Sequence, residues 1–269
     1  MKRLINKLSV SPPKTRAMIA LEENLESISH MIALGKHEVV AAGGKIAKAR
    51  RLLELAIEGC DLRSEEGRKK FIRESKRSIN PITTATAKLN RFQLLNRWQV
   101  VMLVTCVEAY LQDVLAAAAN ADPELMSRSQ QQAPYADVIA ASSLQGLAND
   151  MRARWARGWV SDGGPERWIS RLEKMGARDY PKDLGTTLER FWGIRHSVVH
   201  AAGVATSDFV RRHPGEVKAA GDPVRVSPQS LVKFVEAVGN FVTPTDAYFL
   251  ARYPSMLAAT TASPPKSGS

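Results

Sequence analysis

Two of the five histidines lie four residues apart in the segment Arg195-His196-Ser197-Val198-Val199-His200, called here the 195–200 segment. Residues four apart share one face of a helix, so a helix at this position would place the two imidazoles side by side. Arginine supplies a permanently charged fork that fits phosphate, and histidine exchanges protons near neutral pH. This combination predicts phosphodiester chemistry that needs no metal ion.

Two other interpretations of the histidine pair stay open. A metal ion held by His196 and His200 would need a third ligand, and the sequence offers no obvious one. A histidine pair near a helix end also commonly has a structural role, in which it binds the last backbone carbonyls. A looser spacing would pair Arg190 with His196 instead.

The chain has 269 residues, of which 44% are hydrophobic and 24% charged, as in an ordinary globular protein. Its net charge of +11 favours an anionic partner, for which nucleic acid and membrane surfaces are the usual candidates. Residues 1–80 carry 17 Lys and Arg against 10 Asp and Glu. This basic segment is either an RNA-facing arm or a solvated helix surface packed on the main domain.

The two cysteines, Cys60 and Cys106, have neither metal-ligand spacing nor the number needed for a disulfide framework, which favours a reducing cytoplasm. The basic N-terminus lacks the apolar region of a secretory signal. The apolar run from Val100 to Val107 is much shorter than the roughly 20 residues of a membrane span. We therefore expect a cytoplasmic protein without a membrane partner.

Apolar spacing of three and four residues predicts a nearly all-helical chain. Gly35 and Gly43-Gly44 are expected to break the first helical stretch, Gly203 to end the helix of the 195–200 segment, and 221–226 to form an extended, hairpin-like excursion. The predicted helices cover residues 15–35, 45–59, 64–77, 84–120, 136–158, 165–175, 182–202 and 227–252.

The predicted organisation is consecutive. A basic helical extension occupies residues 1–80, the main helical domain residues 81–253, and a tail rich in Ala, Thr, Ser and Pro residues 254–269. That tail composition is typical of disorder. The sequence shows no internal repeats.

The 195–200 segment resembles the Arg-x4-His signature of the HEPN superfamily. The surroundings are similar as well: an apolar helix over 101–113 with the internal acid Glu108, Gly203 after the second histidine, then a linker and a final helix. The resemblance covers residues 84–252, whereas the helices in 15–77 fall outside it.

This resemblance implies an all-α, HEPN-type helical bundle with additional N-terminal helices. HEPN domains usually dimerise. Many members are metal-independent endoribonucleases of toxin–antitoxin, abortive-infection or other antiviral systems. In them, two copies of the signature face each other at the dimer interface and form one composite site. The expected protein is thus a homodimeric endoribonuclease that acts on RNA without a cofactor, with an antitoxin or a defence complex as a further partner.

The resemblance also implies residue roles. Arg195 would bind the phosphate, His200 would transfer the proton, and His196 would fill the polar position after the arginine or assist in catalysis. Glu108 would orient the arginine or the histidine. The alternative interpretation is that Glu108 is an ordinary carboxylate at the edge of the core. Trp192 is a further candidate for RNA contact, the alternative being that it packs in the core or the dimer interface. The basic candidates for RNA contact are Arg190, Lys69, Lys70 and Arg73.

The main alternative is a HEPN-type module that binds RNA, a nucleotide or a partner protein without catalysis. An intact arginine and histidine favour the enzyme, because a decayed site would be expected to lose one of them. A basic helical DNA-associated protein is a weaker alternative, since no helix-turn-helix, zinc-finger or heptad pattern is present.

Overall fold

The computed structural model describes residues 13–58, 64–127 and 132–257. Within these ranges the regular structure is helical, and the only β-type pairings are two isolated bridges, Thr15–Leu257 and Val204–Pro223. The predicted all-α class is confirmed. The helices are α1 (Arg16–Glu58), α2 (Glu65–Ala121), α3 (Glu124–Ser127), α4 (Tyr135–Ala140), α5 (Leu144–Ser161), α6 (Pro165–Met175), α7 (Leu184–His200), α8 (Ser207–Arg212) and α9 (Pro228–Arg252).

The helical breaks predicted in the N-terminal half are wrong. Helix α1 continues through Gly35 and Gly43-Gly44, and α2 continues through Pro81. A glycine inside a helix costs about 1 kcal/mol and a proline about 3 kcal/mol relative to alanine. Tertiary packing acts against these costs: Ala42 of α1 and Ala85 of α2 are each 2% exposed and line one groove between the two helices.

Two compact units make up the chain. One, the basic unit, comprises Ile28–Val101 and Ile194–Val232; the other, the core unit, comprises Met1–Ser27, Met102–Gly193 and Lys233–Ser269. The units therefore interleave along the chain, and the boundary predicted at residue 80 falls inside α2. Because the basic unit contains 20 Lys and Arg against 10 Asp and Glu, it holds +10 of the net charge of +11.

The core unit is built on the second half of α2, where Leu103, Val107 and Leu111 have no exposed surface. Phe191 stacks on Phe234 with ring centroids 4.1 Å apart. Burying this many apolar side chains supplies the main driving force for folding the unit. It also fixes the direction of the first part of α7, to which Phe191 belongs.

In the C-terminal half, some predicted helix ranges match the structure and one does not. Helices α6 and α9 match their predicted ranges within a residue, and the Ser227 hydroxyl accepts a hydrogen bond from the Ser230 amide at the start of α9. The single helix predicted over 136–158 is wrong: it is divided into α4 and α5, because Ser143 caps α5 by accepting from the Gly146 amide at 3.0 Å. The predicted tail begins with a 3₁₀ turn, Pro254–Met256, and its residues 258–269 lie outside the described ranges.

Among the described residues, the stretch Lys69–Ala121 of α2 is long enough to cross a membrane and contains an 18-residue apolar window with a mean hydropathy of 1.6. Of that apolar window, 44% is buried inside the protein. Core helices of proteins outside membranes meet the same criterion, so this is weak evidence for a span.

Candidate functional site

The two histidines of the 195–200 segment lie on the exposed surface of the last two turns of α7. His196 and His200 are both exposed, and their ring centroids are 4.7 Å apart with the rings tilted by 43°. Within the described ranges, neither imidazole forms a hydrogen bond or an ion pair. Both rings are therefore open to exchange protons with a bound molecule.

Arg195 is half-buried on the same helix. Its Nε is enclosed by protein, yet no described residue accepts its hydrogen, and no described carboxylate pairs with the guanidinium. A buried donor without an acceptor costs about 1 to 3 kcal/mol. The charge of Arg195 is therefore not neutralised by an acid from the described part of the chain, which suits it to hold an anion.

The end of α7 determines where His200 lies. The Ser197 carbonyl accepts two backbone hydrogen bonds, from Ala201 at 3.0 Å and from Gly203 at 2.9 Å. Gly203 has a φ of 79°, which confirms the predicted left-handed residue, and Ala202 adopts a φ of 52° as well. The chain thus turns away directly after His200, leaving its imidazole at the end of the helix.

Three polar side chains of α2 hold the extended segment 224–226. Asn96 donates to the Val226 carbonyl at 2.8 Å, Gln93 accepts from the Val226 amide at 3.2 Å, and Arg97 Nε donates to the Val224 carbonyl at 2.7 Å. Both valines are buried. These bonds satisfy backbone groups that have no sheet partner, and they fix the direction of each side chain in the segment.

The same segment is tied to the end of α7. The Val224 amide donates to the Gly203 carbonyl at 3.0 Å, next to the Val204–Pro223 bridge, so the predicted excursion over 221–226 does pair with the chain after α7. Arg97 packs on Gly203 so closely that a Cβ there would lie 2.6 Å from its Nη1. The guanidinium of Arg97 therefore lies against the turn after α7, at a residue three positions after His200.

Burial and, secondarily, the charge of Arg225 lower the pKa of Arg97. Neither arginine forms an ion pair with an acid in the described ranges. The sequence interpretation missed both residues. For Arg225 a signal was present, since the alternation Val224-Arg225-Val226 is typical of an extended segment with its arginine facing outward.

Glu108 and Trp192 lie together in the core unit. The Glu108 carboxylate accepts a hydrogen bond from Trp192 Nε1 at 3.1 Å, and the indole ring meets Trp168 edge-on at 4.9 Å. This placement favours the packing alternative for Trp192. The predicted RNA contact of Trp192 and the predicted orienting role of Glu108 stay predictions.

The remaining basic candidates are dispersed. Arg190 belongs to the core unit, where its guanidinium lies 5.3 Å from the centre of the Phe191 ring. Lys69, Lys70 and Arg73 are exposed on α2 in the basic unit. Lys69 pairs with Glu65 at 2.8 Å, and Arg73 lies 3.8 Å from the Glu74 carboxylate. Exposed pairs of this kind contribute about 0 to 1 kcal/mol, so a phosphate can displace them at little cost.

Comparisons with models of known families, with curated proteins and with solved structures found no match for this chain. In the described part of the chain, no three His, Cys, Asp or Glu side chains are grouped so as to hold a metal ion. What the 195–200 segment does offer is two exposed imidazoles beside an arginine that no carboxylate of the described ranges pairs with. Such a set can bind a phosphodiester and move protons to and from its oxygens.

Proposed function

We propose that this protein is a metal-independent endoribonuclease of the HEPN type, and that it acts as a toxin or antiviral effector. The observation that supports it most is the pair of exposed imidazoles, with ring centroids 4.7 Å apart, next to an arginine that has no acid partner among the described residues. These residues belong to the unit that carries +10 of the net charge. RNA is the proposed partner because a surface of that sign attracts a polyanion.

The proposed reaction uses the nucleophile that RNA itself carries. The 2′-hydroxyl attacks the adjacent phosphorus, a base removes its proton, and the new O–P bond forms as the bond to the 5′-oxygen breaks. An acid delivers a proton to the leaving 5′-oxygen, which gives a 2′,3′-cyclic phosphate and a 5′-hydroxyl. Arg195 stabilises the extra negative charge that develops on the phosphate oxygens in the transition state.

In-line attack requires the base and the acid on opposite sides of the phosphorus. His196 and His200 share one face of α7, so one copy of the helix presents both imidazoles from the same side. A second copy related by a two-fold axis supplies the opposite side. The proposal therefore includes a homodimer with Arg195 and His200 of both subunits in one composite site.

The biological setting follows from the same proposal. An enzyme that cleaves RNA without further control would harm its own cell, so an antitoxin or defence-complex partner is part of the proposal. The proposed location is the cytoplasm, where RNA is present. Neither cleavage nor binding requires a membrane or a cofactor in this scheme.

The decisive experiment measures cleavage of single-stranded RNA by the purified protein in EDTA. Wild type is compared with Arg195→Ala and His200→Ala, and Arg211→Ala and His30→Ala serve as matched controls in the same unit. We expect wild type and controls to cleave and leave cyclic phosphate ends, and both site variants to lose about 10²- to 10⁴-fold in rate. Equal rates for His200→Ala and His30→Ala would overturn the assignment.

Absence of cleavage by wild type would overturn the catalytic proposal for the protein alone. RNA binding retained in that case would favour the alternative of a HEPN-type binding module. Sedimentation measured on the same samples tests the dimer, because a composite site predicts that the rate per subunit falls on dilution below the dimer dissociation constant.

A further inference from the structure

We infer that Arg97 and Arg225 form a second phosphate site, which holds an RNA backbone phosphate adjacent to the one bound at Arg195 and His200. This inference rests on the proposed function for the identity of the ligand as RNA. The residues that carry it come from three parts of the basic unit: α2, the turn after α7 and the segment 224–226.

The segment 224–226 presents Arg225 to solvent. Val224 is 2% exposed and Val226 is fully buried, whereas Arg225 between them is exposed. In an extended chain successive side chains point to opposite sides, so burial of the two valines directs the arginine outward. The hydrogen bonds from Asn96 and Arg97 to the two valine carbonyls keep the segment in this register.

Arg97 is fixed in place by a bond that leaves most of its donors unused. Its Nε donates to the Val224 carbonyl at 2.7 Å, and this accounts for one of the five N–H groups of a guanidinium. Its Nη1 lies against Gly203, where the absence of a side chain leaves room for it. A rigidly held guanidinium loses little conformational entropy when it binds an anion.

Arg97 and Arg225 are joined through the segment 224–226, because Arg97 donates to the carbonyl of Val224, the residue before Arg225. Within the described ranges no acid pairs with either arginine. Burial and, secondarily, the charge of Arg225 lower the pKa of Arg97. Like charges held close destabilise the folded protein, and a phosphate between them converts that repulsion into attraction. An anion is therefore the ligand that this arrangement fits.

The location makes a neighbouring RNA phosphate the specific expectation. Arg97 touches Gly203, three residues after His200, and Val224 is bonded to the same glycine at 3.0 Å. An RNA strand that binds at the end of α7 through one internal phosphate continues past that phosphate in both directions. Because Arg97 and Val224 both contact Gly203 in the turn after α7, we expect the next phosphate of that strand to bind at Arg97 and Arg225.

The test measures RNA affinity separately from cleavage. Fluorescein-labelled single-stranded RNA is titrated in EDTA at several salt concentrations against protein with His200→Ala, which prevents cleavage. Arg225→Ala is added to that background, and Arg211→Ala is the control, because Arg211 is an exposed arginine of the same unit that pairs with Asp208. The Arg225 side chain is exposed and forms no hydrogen bond or ion pair with the described residues, so this variant is expected to fold.

We expect Arg225→Ala to weaken binding by about three- to tenfold and to lower the slope of log Kd against log salt by about 0.7, the value for one single-strand phosphate contact. Arg211→Ala should leave both unchanged. Equal Kd values and slopes for the two variants would overturn the inference, as would absence of RNA binding by the parent protein. If wild type fails to cleave but Arg225→Ala shows the loss, the phosphate site stands and only the catalytic proposal fails.

Discussion

The carboxylate of Glu108 accepts a hydrogen bond from the indole nitrogen of Trp192 at 3.1 Å, across 84 residues of sequence. This bond joins α2 to α7 within the core unit, and it gives Glu108 a structural task apart from any role in catalysis. The two roles make different predictions for conservative substitutions.

We expect Glu108→Gln to change the free energy of unfolding by less than about 0.5 kcal/mol, because the amide oxygen still accepts from Trp192, and Glu108→Ala to cost about 1 to 2 kcal/mol. Urea denaturation measures both. RNA cleavage measured on Glu108→Gln separates the roles: a purely structural Glu108 leaves the rate unchanged, whereas loss of rate without loss of stability would assign it to the site.

His196 is expected to serve as a polar neighbour of Arg195 more than as a proton donor. The variant His196→Asn keeps a polar side chain at this exposed position and should retain cleavage within about tenfold, since proton transfer by a side chain contributes 10²- to 10⁴-fold. The measurement is the rate of RNA cleavage across a range of pH. A loss as large as that of His200→Ala would instead place His196 in the proton transfer.

Gly203→Ala should disturb both the fold and the proposed phosphate site. The φ of 79° disfavours any side chain by about 1 to 2 kcal/mol, and the new methyl group would displace Arg97 from its bond with Val224. Gly221→Ala is the matched control, with a φ of 90° and open space around its Cβ position. Only Gly203→Ala should weaken RNA binding, as measured by anisotropy, and equal binding by the two variants would contradict the role of Arg97.

The glycines inside α1 offer a stabilising change. Gly43 and Gly44 are exposed, and a Cβ added at either meets no atom within 4 Å. Alanine at each should therefore raise the free energy of unfolding by about 0.4 to 1 kcal/mol. Thermal melting tests this, with Gly163→Ala as the opposite control, because its φ of 119° and the nearby Arg167 predict destabilisation.

Asp246 gives the core unit a pH dependence. Thr15 donates to both of its carboxylate oxygens through its amide and hydroxyl, and Tyr110 donates to one of them. Burial raises the pKa of this carboxyl above 3.8 and outweighs those bonds and the charge of Lys14. The folded state thus holds the proton more tightly than the unfolded state does.

The protonated Asp246 carboxyl contributes stability that is fully present when the pH is below the ordinary pKa of an aspartate. That stability is lost as the pH rises through the raised pKa of the folded state. We compare wild type with Asp246→Asn, whose side chain does not titrate, by urea denaturation from acid to neutral pH. The difference in unfolding free energy, wild type minus variant, should fall as pH rises. A difference that stays constant or rises would contradict the raised pKa.

The local features of the chain were predictable because they depend on neighbours within one or two turns. A proline in the first turn identified the start of α9, the break before Pro165 identified the start of α6, and Gly203 identified the end of α7. The side-by-side arrangement of His196 and His200 follows from helical geometry alone. Their spacing and that of Arg195 were sufficient to name a candidate site.

Helix continuity was not predictable in the same way. Gly43, Gly44 and Pro81 are unfavourable inside helices by intrinsic propensity, and the sequence interpretation ended helices at or near them. The structure continues both helices, and buried alanines on α1 and α2 pack in a groove between them, a contact that no local window contains.

The sequence by itself thus determined that the chain is helical and that an arginine and two histidines share the end of one helix. Only the tertiary structure decided which distant polar side chains meet. Arg97 is bonded to Val224, the neighbour of Arg225, across 127 residues, and Trp192 is bonded to Glu108 across 84 residues. The physical reason is that periodicity reports a residue's own helix, whereas the position of a charge depends on which buried surfaces bring distant segments into contact.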